Sequence, residues 1–293
     1  MPLHTKLGCE GNMSSVVEKI AATQDLALRK TTPLSGGDVN EVLLLETAFE
    51  RYVMKLNDST KFPDMFKAEA KGLRFLEQSD SFQIPKVISE GVCDTTSYLI
   101  LEFIPSATPT VRFWNNFADC LSKLHQTSQS TFGLDHDNYI GSLRQYNCPE
   151  ISASDFYINQ RLIPQFRLAR DNGFRFEQEG ALYKTTLALI PNEPPALIHG
   201  DLWNGNYIST LGGRPALIDP AVSFAPREMD VAMMQLFGGF PTEVFLKYNT
   251  LFPLKEGWEE RIQLWQLYYL LVHLNLFGGG YLTQVRTILN RYT

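Results

Sequence analysis

The sequence has only four cysteines in 293 residues, Cys9, Cys93, Cys120 and Cys148, and no two are neighbours. This excludes the close cysteine pairs of a zinc knuckle or a redox dithiol. It fits reduced, structural thiols in a cytosolic protein. Histidine is also scarce: five residues, scattered along the chain, give no metal cluster. Long apolar runs are missing. The longest, Leu267 to Val272, stops at His273 and Asn275, far short of the roughly 20 residues that span a bilayer. The opening MPLHTKLGCEG has no apolar core of signal-peptide length. There is no excess of positive charge either, since 26 Lys and Arg stand against 32 Asp and Glu for a net charge of -6. A mildly acidic chain lacks the basic face that nucleic acid requires. The expectation is a cytoplasmic protein with no membrane and no nucleic-acid partner.

What is present is ordinary globular composition, 44% hydrophobic and 20% charged, in a chain long enough to bury a core without staples. No internal repeat or low-complexity tract occurs. Ser15 and Glu18 form a capping box that starts a helix near Ser15 and carries it to about Ala22. Leu26 to Lys30 reads as a strand, broken at Ser35-Gly36-Gly37-Asp38. Val42 to Glu46 and Arg51 to Leu56 read as strands around a turn. Asp64 to Gln78 reads as a helix, with Phe66, Leu73 and Leu76 at helical spacing. Pro85 to Ile88 and Tyr98 to Phe103 read as two more strands. After Pro105 the pattern turns helical, at Trp114 to His125, Phe156 to Arg170 and Gln178 to Ile190. A strand-turn-strand over Asn206 to Asp219, with Gly212-Gly213 in the turn, separates these from a helical remainder beginning near Met229. The fold class expected is α+β: a two-lobed protein-kinase-like fold with a small β-rich N-lobe, residues 1–104, and a larger, mostly α-helical C-lobe, residues 105–293.

The strongest chemical signal is His199-Gly200-Asp201-Leu202-Trp203-Asn204-Gly205-Asn206. Its Asp and Asn have the spacing of a protein-kinase catalytic loop, where the Asp accepts the substrate hydroxyl proton and the Asn holds magnesium. Phosphoryl transfer needs both, an oriented hydroxyl that can lose its proton and a polyphosphate neutralised by a metal on oxygen ligands. Read alone, the spacing is common, because both residue types form turns and caps. It is followed, 13 residues after Asn206, by Asp219 at the end of the apolar Ala216-Leu217-Ile218. The intervening hairpin brings its ends together, so Asn206 and Asp219 are the expected magnesium ligands and Asp201 the expected base. His199 is expected to brace the loop, Asp230 to buttress its backbone, and His125 to pack or cap.

The first hundred residues supply the nucleotide half. Lys55 ends the strand Tyr52-Val53-Met54-Lys55, and Glu69 follows on the next helix. Together they suggest the ion pair that positions the α- and β-phosphates of ATP. Ser35, Gly36 and Gly37 can present backbone N–H groups to phosphate oxygens. The backbone of Glu102, Phe103 and Ile104 is placed at the adenine edge.

These motifs resemble the aminoglycoside phosphotransferase and choline kinase superfamily, and the Trp in His199 to Asn206 makes the chain most similar to the fructosamine kinases, or ketosamine-3-kinases. The likeness extends through Asn138-Tyr139-Ile140-Gly141, Arg161-Leu162-Ile163-Pro164-Gln165, Ile218-Asp219-Pro220-Ala221, Glu228-Met229-Asp230-Val231-Ala232 and His273-Leu274-Asn275-Leu276-Phe277-Gly278. The sequence departs from the family pattern at Arg144, where many members carry proline, and at Ala153, where tryptophan is common. It also has no cysteine in the Gly36-Gly37 loop, so no redox switch is expected there. The resemblance implies an ATP- and Mg2+-dependent kinase acting on the 3-hydroxyl of ketosamines, either small molecules or glycated proteins, as deglycation repair. Trp203, His273 and Asn275 are the expected sugar pocket, an aromatic face with polar groups to fix orientation. Two other readings stay open: a kinase for another small molecule such as an aminoglycoside or choline, and a nucleotide-binding pseudokinase.

Overall fold

A computed structural model of the chain describes residues 10–34 and 39–293, without side chains for 10–14. It divides into two compact units. The first holds the residues up to Ala70 together with Pro85–Ile104, and the second holds Lys71–Ile84 and Pro105–Thr293.

The first unit is a helix on an antiparallel sheet. Helix α1 (Glu10–Thr23) precedes β1 (Lys30–Pro33), β2 (Glu41–Glu46) and β3 (Arg51–Asp58). Helix α2 (Met65–Gln78), which passes into the second unit after Ala70, and the hairpin β4 (Val87–Cys93) and β5 (Thr96–Glu102) follow. The strand order is β1-β2-β3-β5-β4. Alternation decides which side chains meet α1: Leu43, Leu45, Met54, Leu56, Tyr98 and Ile100 form one core with Val17 and Ile20. Lys55, between Met54 and Leu56, is therefore turned to the opposite face, opposite Leu99 in the β3–β5 register. Strand β1 lies later than the Leu26–Lys30 expected from sequence, because Leu26 and Leu28 pack against the α1 core instead. Likewise β4 runs on to Cys93, since Ser89-Glu90-Gly91 breaks the apolar pattern and the continuation shows only in its pairing with β5.

The second unit is helical around short strands. Helix α3 (Val111–Gln126) is capped by the Thr110 side chain, which accepts from Phe113 N. Two hairpin strands follow, β6 (Asn138–Ile140) and β7 (Leu143–Gln145). The helical run from Ala153 changes character. Helix α4 (Ala153–Phe156) passes into a π-helical stretch over Tyr157–Leu162 and then α5 (Ile163–Asp171). Pro164 explains the irregularity, since it has no N–H to offer the Gln160 carbonyl. Arg161 Nη1 donates to that carbonyl instead, at 3.1 Å. Then come α6 (Glu179–Leu189), β8 (Ala196–Ile198), the hairpin β9 (Tyr207–Ser209) and β10 (Pro215–Leu217), and β11 (Ser223–Ala225) paired to β8. Helices α7 (Glu228–Leu236), α8 (Thr242–Leu251), α9 (Trp258–Phe277) and α10 (Leu282–Tyr292) close the chain. Strands β6, β7, β8 and β11 are three residues each, too short to announce themselves by periodicity. Among the described residues, no helix is long and apolar enough to cross a membrane. The apolar run Leu267–Val272 is the buried middle of α9.

Candidate active site

The loop after β8 is stitched to the segment after β10. His199 O accepts from Ala221 N at 2.9 Å, and Asn206 O accepts from Ile218 N at 3.1 Å. The His199 ring, wholly buried, bridges the two segments. Nε2 donates to Ile218 O at 2.9 Å, and Nδ1 accepts from Asp201 N at 3.3 Å. Burial holds the His199 pKa below the usual histidine range, so the ring is neutral, as the one-donor, one-acceptor arrangement requires. Gly200 has φ +83, and a Cβ there would stand 2.1 Å from Ala221 O. Only glycine permits that approach.

Asp230, on α7, holds the loop from beneath. Its carboxylate accepts from His199 N and Gly200 N, both at 2.8 Å, and lies 3.3 Å from His125 Nε2. His125 is buried and bonds Tyr248 OH through Nδ1 at 2.8 Å. Asp230→Ala strands two buried N–H groups. Such a loss costs roughly 1–3 kcal/mol per group, so the variant is expected to melt about 5–10 °C below wild type. Asp230→Asn, which retains one acceptor, should recover part of the loss. A scanning-calorimetry melt of Asp230→Ala equal to wild type removes this role.

Asn206 turns its amide toward the loop. Nδ2 donates to Asp201 O at 2.8 Å, to Asp201 Oδ2 at 3.1 Å and toward Asp219 O at 3.5 Å. Its Oδ1 accepts no hydrogen bond among the described residues. Asp219 sits at φ +56, a left-handed conformation that Asp tolerates better than most residues. Asp201 is half-buried, and among the described residues its Oδ1 accepts no hydrogen bond. Its pKa is pushed up to about 7, chiefly by burial. The Asn206 hydrogen bond opposes this, and the charges of Asp219 and Asp230 add to it.

A buried polar network behind the Asp219 segment has no counterpart in the expected site. Asn138 Nδ2 donates to Val222 O at 2.8 Å, and Gln145 Nε2 donates to Ala221 O at 3.0 Å and to Asn138 Oδ1 at 2.9 Å. Arg161 Nη2 donates to Asn147 Oδ1 at 2.9 Å and Ser223 Oγ at 3.1 Å, while Tyr268 OH donates to Gln145 Oε1 at 2.7 Å. Asn138, Gln145, Asn147 and Arg161 are all buried. Buried polar groups in a satisfied network fix one arrangement, here that of the backbone following Asp219. The signal in the sequence was polar residues inside otherwise apolar stretches, but their common target comes from four separate elements. Arg144, the departure from proline, points away and pairs with Asp137 at 3.1 Å.

In the first unit Lys55 Nζ meets Glu69 Oε1 at 2.6 Å, with Lys55 buried and Glu69 partly buried. Ser35, Gly36 and Gly37 lie outside the described residues. At the end of β5, Glu102 N donates to Lys86 O at 2.9 Å and Phe103 N to Arg51 O at 3.3 Å. The Arg51 guanidinium stacks on Phe103, 4.3 Å from its centroid. Of Glu102, Phe103 and Ile104, only Ile104 keeps an N–H without a hydrogen bond among the described residues.

The three residues expected in a sugar pocket have different immediate neighbours. Trp203 lies over Gly205, where a Cβ would come within 2.3 Å of the indole. Asn275 is two residues from His273 on α9, so the two side chains leave the helix in different directions. Asn275 Nδ2 donates to Gln165 O and Oε1, at 3.0 and 2.8 Å, and Asn275 is occupied in holding α5. His273 instead packs on Phe237, Phe277 and Tyr281.

Comparison with known proteins agrees with this architecture. The family model described as fructosamine kinase matches residues 12–293. A probable ketoamine kinase of Enterococcus faecium is 39% identical over 275 residues, covering 92% of this chain and 97% of that protein. The crystal structure of a putative fructosamine-3-kinase from Haemophilus somnus superposes with a TM-score of 0.87 at 27% identity, covering 95% of this chain and 97% of the other. An aminoglycoside phosphotransferase, solved with AMP-PNP and hygromycin B, shares the fold with a TM-score of 0.65 at 18% identity, covering 94% and 96% of the two chains. With a family model matched over nearly its whole length and a kinase-like fold, the chain belongs to the fructosamine kinase family and is a phosphotransferase.

Proposed function

We propose that this enzyme transfers the γ-phosphoryl group of ATP to the 3-hydroxyl of ketosamines, free or carried on proteins, and so serves deglycation in the cytoplasm. The observation that carries the phosphoryl-transfer reading is the Asp201–Asn206–Asp219 arrangement. Asp201 Oδ1 is open to a hydroxyl proton, and its raised pKa, about 7, matches the strength a general base needs near neutral pH. The sugar-amine part of the reading rests on the family and on the names of the relatives.

The donor atoms fit magnesium. Asn206 Oδ1 and the Asp219 carboxylate would be its protein ligands, both hard oxygens. Magnesium commonly takes one or two protein ligands and completes its shell with phosphate and water. Among the described residues there is no cage of three His, Cys, Asp or Glu ligands, and none is needed for this mode. When bound, the ion neutralises charge on the transferring phosphoryl group. The chain's own residues do the rest. Asp201 orients the acceptor hydroxyl and takes its proton. Asn206 holds the Asp201 carboxylate in place, and the network anchored by Arg161 keeps the backbone after Asp219 from shifting. Lys55, held by Glu69, is the group assigned to the α- and β-phosphates. Ile104 N–H is the donor assigned to the adenine edge, and Ser35, Gly36 and Gly37 are assigned to the phosphates. Residues 1–104 are read as the nucleotide-binding lobe and 105–293 as the catalytic and substrate lobe.

ATP consumption with a fructosamine, a ribulosamine, choline and kanamycin tests this reading. Turnover of the two ketosamines well above the others is expected, with phosphate on carbon 3 by NMR. Preference for choline or kanamycin assigns a different acceptor. Mg-ATP binding with no turnover of any acceptor makes the chain a pseudokinase.

A further inference from the structure

A group of aromatic rings lies beside the catalytic loop and has no part in the arrangement described so far. Phe237 caps the C-terminus of α7. Gly238 and Gly239 follow at φ +71 and +88, and a Cβ on Gly239 would stand 2.5 Å from Asn204 Cβ. The double glycine therefore lets the backbone after Phe237 rest directly on the loop that carries Asp201. Across from Phe237, His273 lies at 4.8 Å between centroids. Phe277, one turn along α9, and Tyr281 lie 5.6 and 5.1 Å from His273, and 6.3 Å from each other.

These rings are not closed into the core. Phe237 is 39% exposed and Phe277 54% exposed, while His273 and Tyr281 are half-buried. Large exposed rings grouped beside a reaction centre mark a binding surface more than a packing remnant. The imidazole adds a directional group. Its Nδ1 donates to Tyr269 O at 2.8 Å, which fixes the tautomer and makes Nε2 an acceptor. Burial holds the His273 pKa below the usual range, so the ring does not become a cation that would repel one.

An acceptor nitrogen among uncharged aromatic faces, beside the loop that carries Asp201, suits a protonated amine bearing a carbon substituent. Its N–H can meet Nε2, and its charge can meet the ring faces. Under the ketosamine reading, on which this inference rests, every acceptor carries such a group next to the sugar.

We propose that Phe237, His273, Phe277 and Tyr281 form the subsite for the protonated amine, and thereby set which ketosamines are preferred. The site differs from the sugar pocket expected from sequence. Here His273 faces the amine, and Asn275 takes no part.

The test compares two acceptors with the same sugar and the same apolar group: fructosyl-benzylamine, and 1-O-benzyl-fructose, whose ether oxygen cannot be protonated. The wild-type enzyme should favour the amine in kcat/KM. Phe277→Ala removes an exposed ring, and Phe237→Ala serves as the second variant. Each should lower kcat/KM for the amine about tenfold, as expected for a cation on an aromatic face, mostly through KM. The ether should change less than about threefold. His273→Phe, which keeps a ring and removes the acceptor nitrogen, should also act selectively on the amine. Equal losses on both acceptors, or a fall in kcat alone, overturn the subsite while leaving the ketosamine reading in place. Absence of wild-type turnover with every ketosamine overturns both together.

Discussion

Asp201→Asn is expected to lower kcat by at least roughly 100-fold, the lower end of what general-base assistance contributes, with ATP binding little changed. The substitution keeps the shape of the side chain and the contact with Asn206 and removes the proton acceptor. It does not remove positioning or charge neutralisation, which carry most of phosphoryl transfer, so residual activity should remain measurable. Single-turnover kinetics check this, because they isolate the chemical step from product release. Retention of more than about a tenth of the single-turnover rate assigns the base elsewhere. The same variant has a stability signature. The folded pKa of Asp201 is about 7, above its ordinary value of 3.8. A raised pKa means the folded state binds the proton more tightly, so its contribution is fully present below 3.8 and is lost as pH rises through about 7. Asn carries no proton to lose. In metal-free, nucleotide-free protein, Asp201→Asn should therefore melt above wild type at pH 8, by a margin that shrinks toward pH 5. A constant margin across that range would show that burial of the carboxylate is not the cause.

Asp219→Ala should abolish detectable turnover and leave the fold intact. The backbone around Asp219 is held by groups other than its carboxylate. Ile218 O accepts from His199 Nε2, Ala221 N donates to His199 O, and Ala221 O accepts from Gln145. Alanine at φ +56 carries a conformational cost of order 1 kcal/mol, which circular dichroism and a thermal melt will register as a small shift. Loss of the carboxylate leaves Asn206 Oδ1 as the only remaining ligand of the proposed pair. Raising magnesium should restore little. Near-wild-type activity at saturating magnesium removes Asp219 from the metal site, whereas a collapsed melt would assign it to folding instead. Asp219→Gly, which has no penalty at positive φ, separates the two effects, since it should be as inactive as Asp219→Ala and melt closer to wild type.

The proximity of the proposed site residues follows largely from spacing along the chain. The Asp201-to-Asn206 spacing is local, and a hairpin of that length returns its ends to one place, so the proximity of Asn206 and the Asp219 segment followed from order alone. The ion pair of Lys55 with Glu69 was likewise visible. Lys55 lies on a strand, and Glu69 follows 14 residues later on the next helix, closer along the chain than Glu77, more than two turns further. Asn275 should have been separated from His273 by the same reasoning, because residues two apart on a helix do not share a face.

The chain by itself determined the succession of a strand-rich first part and a helical second part, the two segments that carry acid and amide, and the family. Each depends on spacing along the backbone, which sequence records directly. Only the tertiary structure decided three further matters. It brought Asn138, Gln145, Asn147 and Arg161 from β6 through the π-helical stretch onto the backbone after Asp219. It raised the Asp201 pKa by removing water from around the carboxylate. It also gathered Phe237, His273, Phe277 and Tyr281 from the ends of separate helices. The physical reason is common to all three. Burial and convergence depend on which surfaces cover one another, and that is a property of packing between segments remote in the chain rather than of any segment's own pattern.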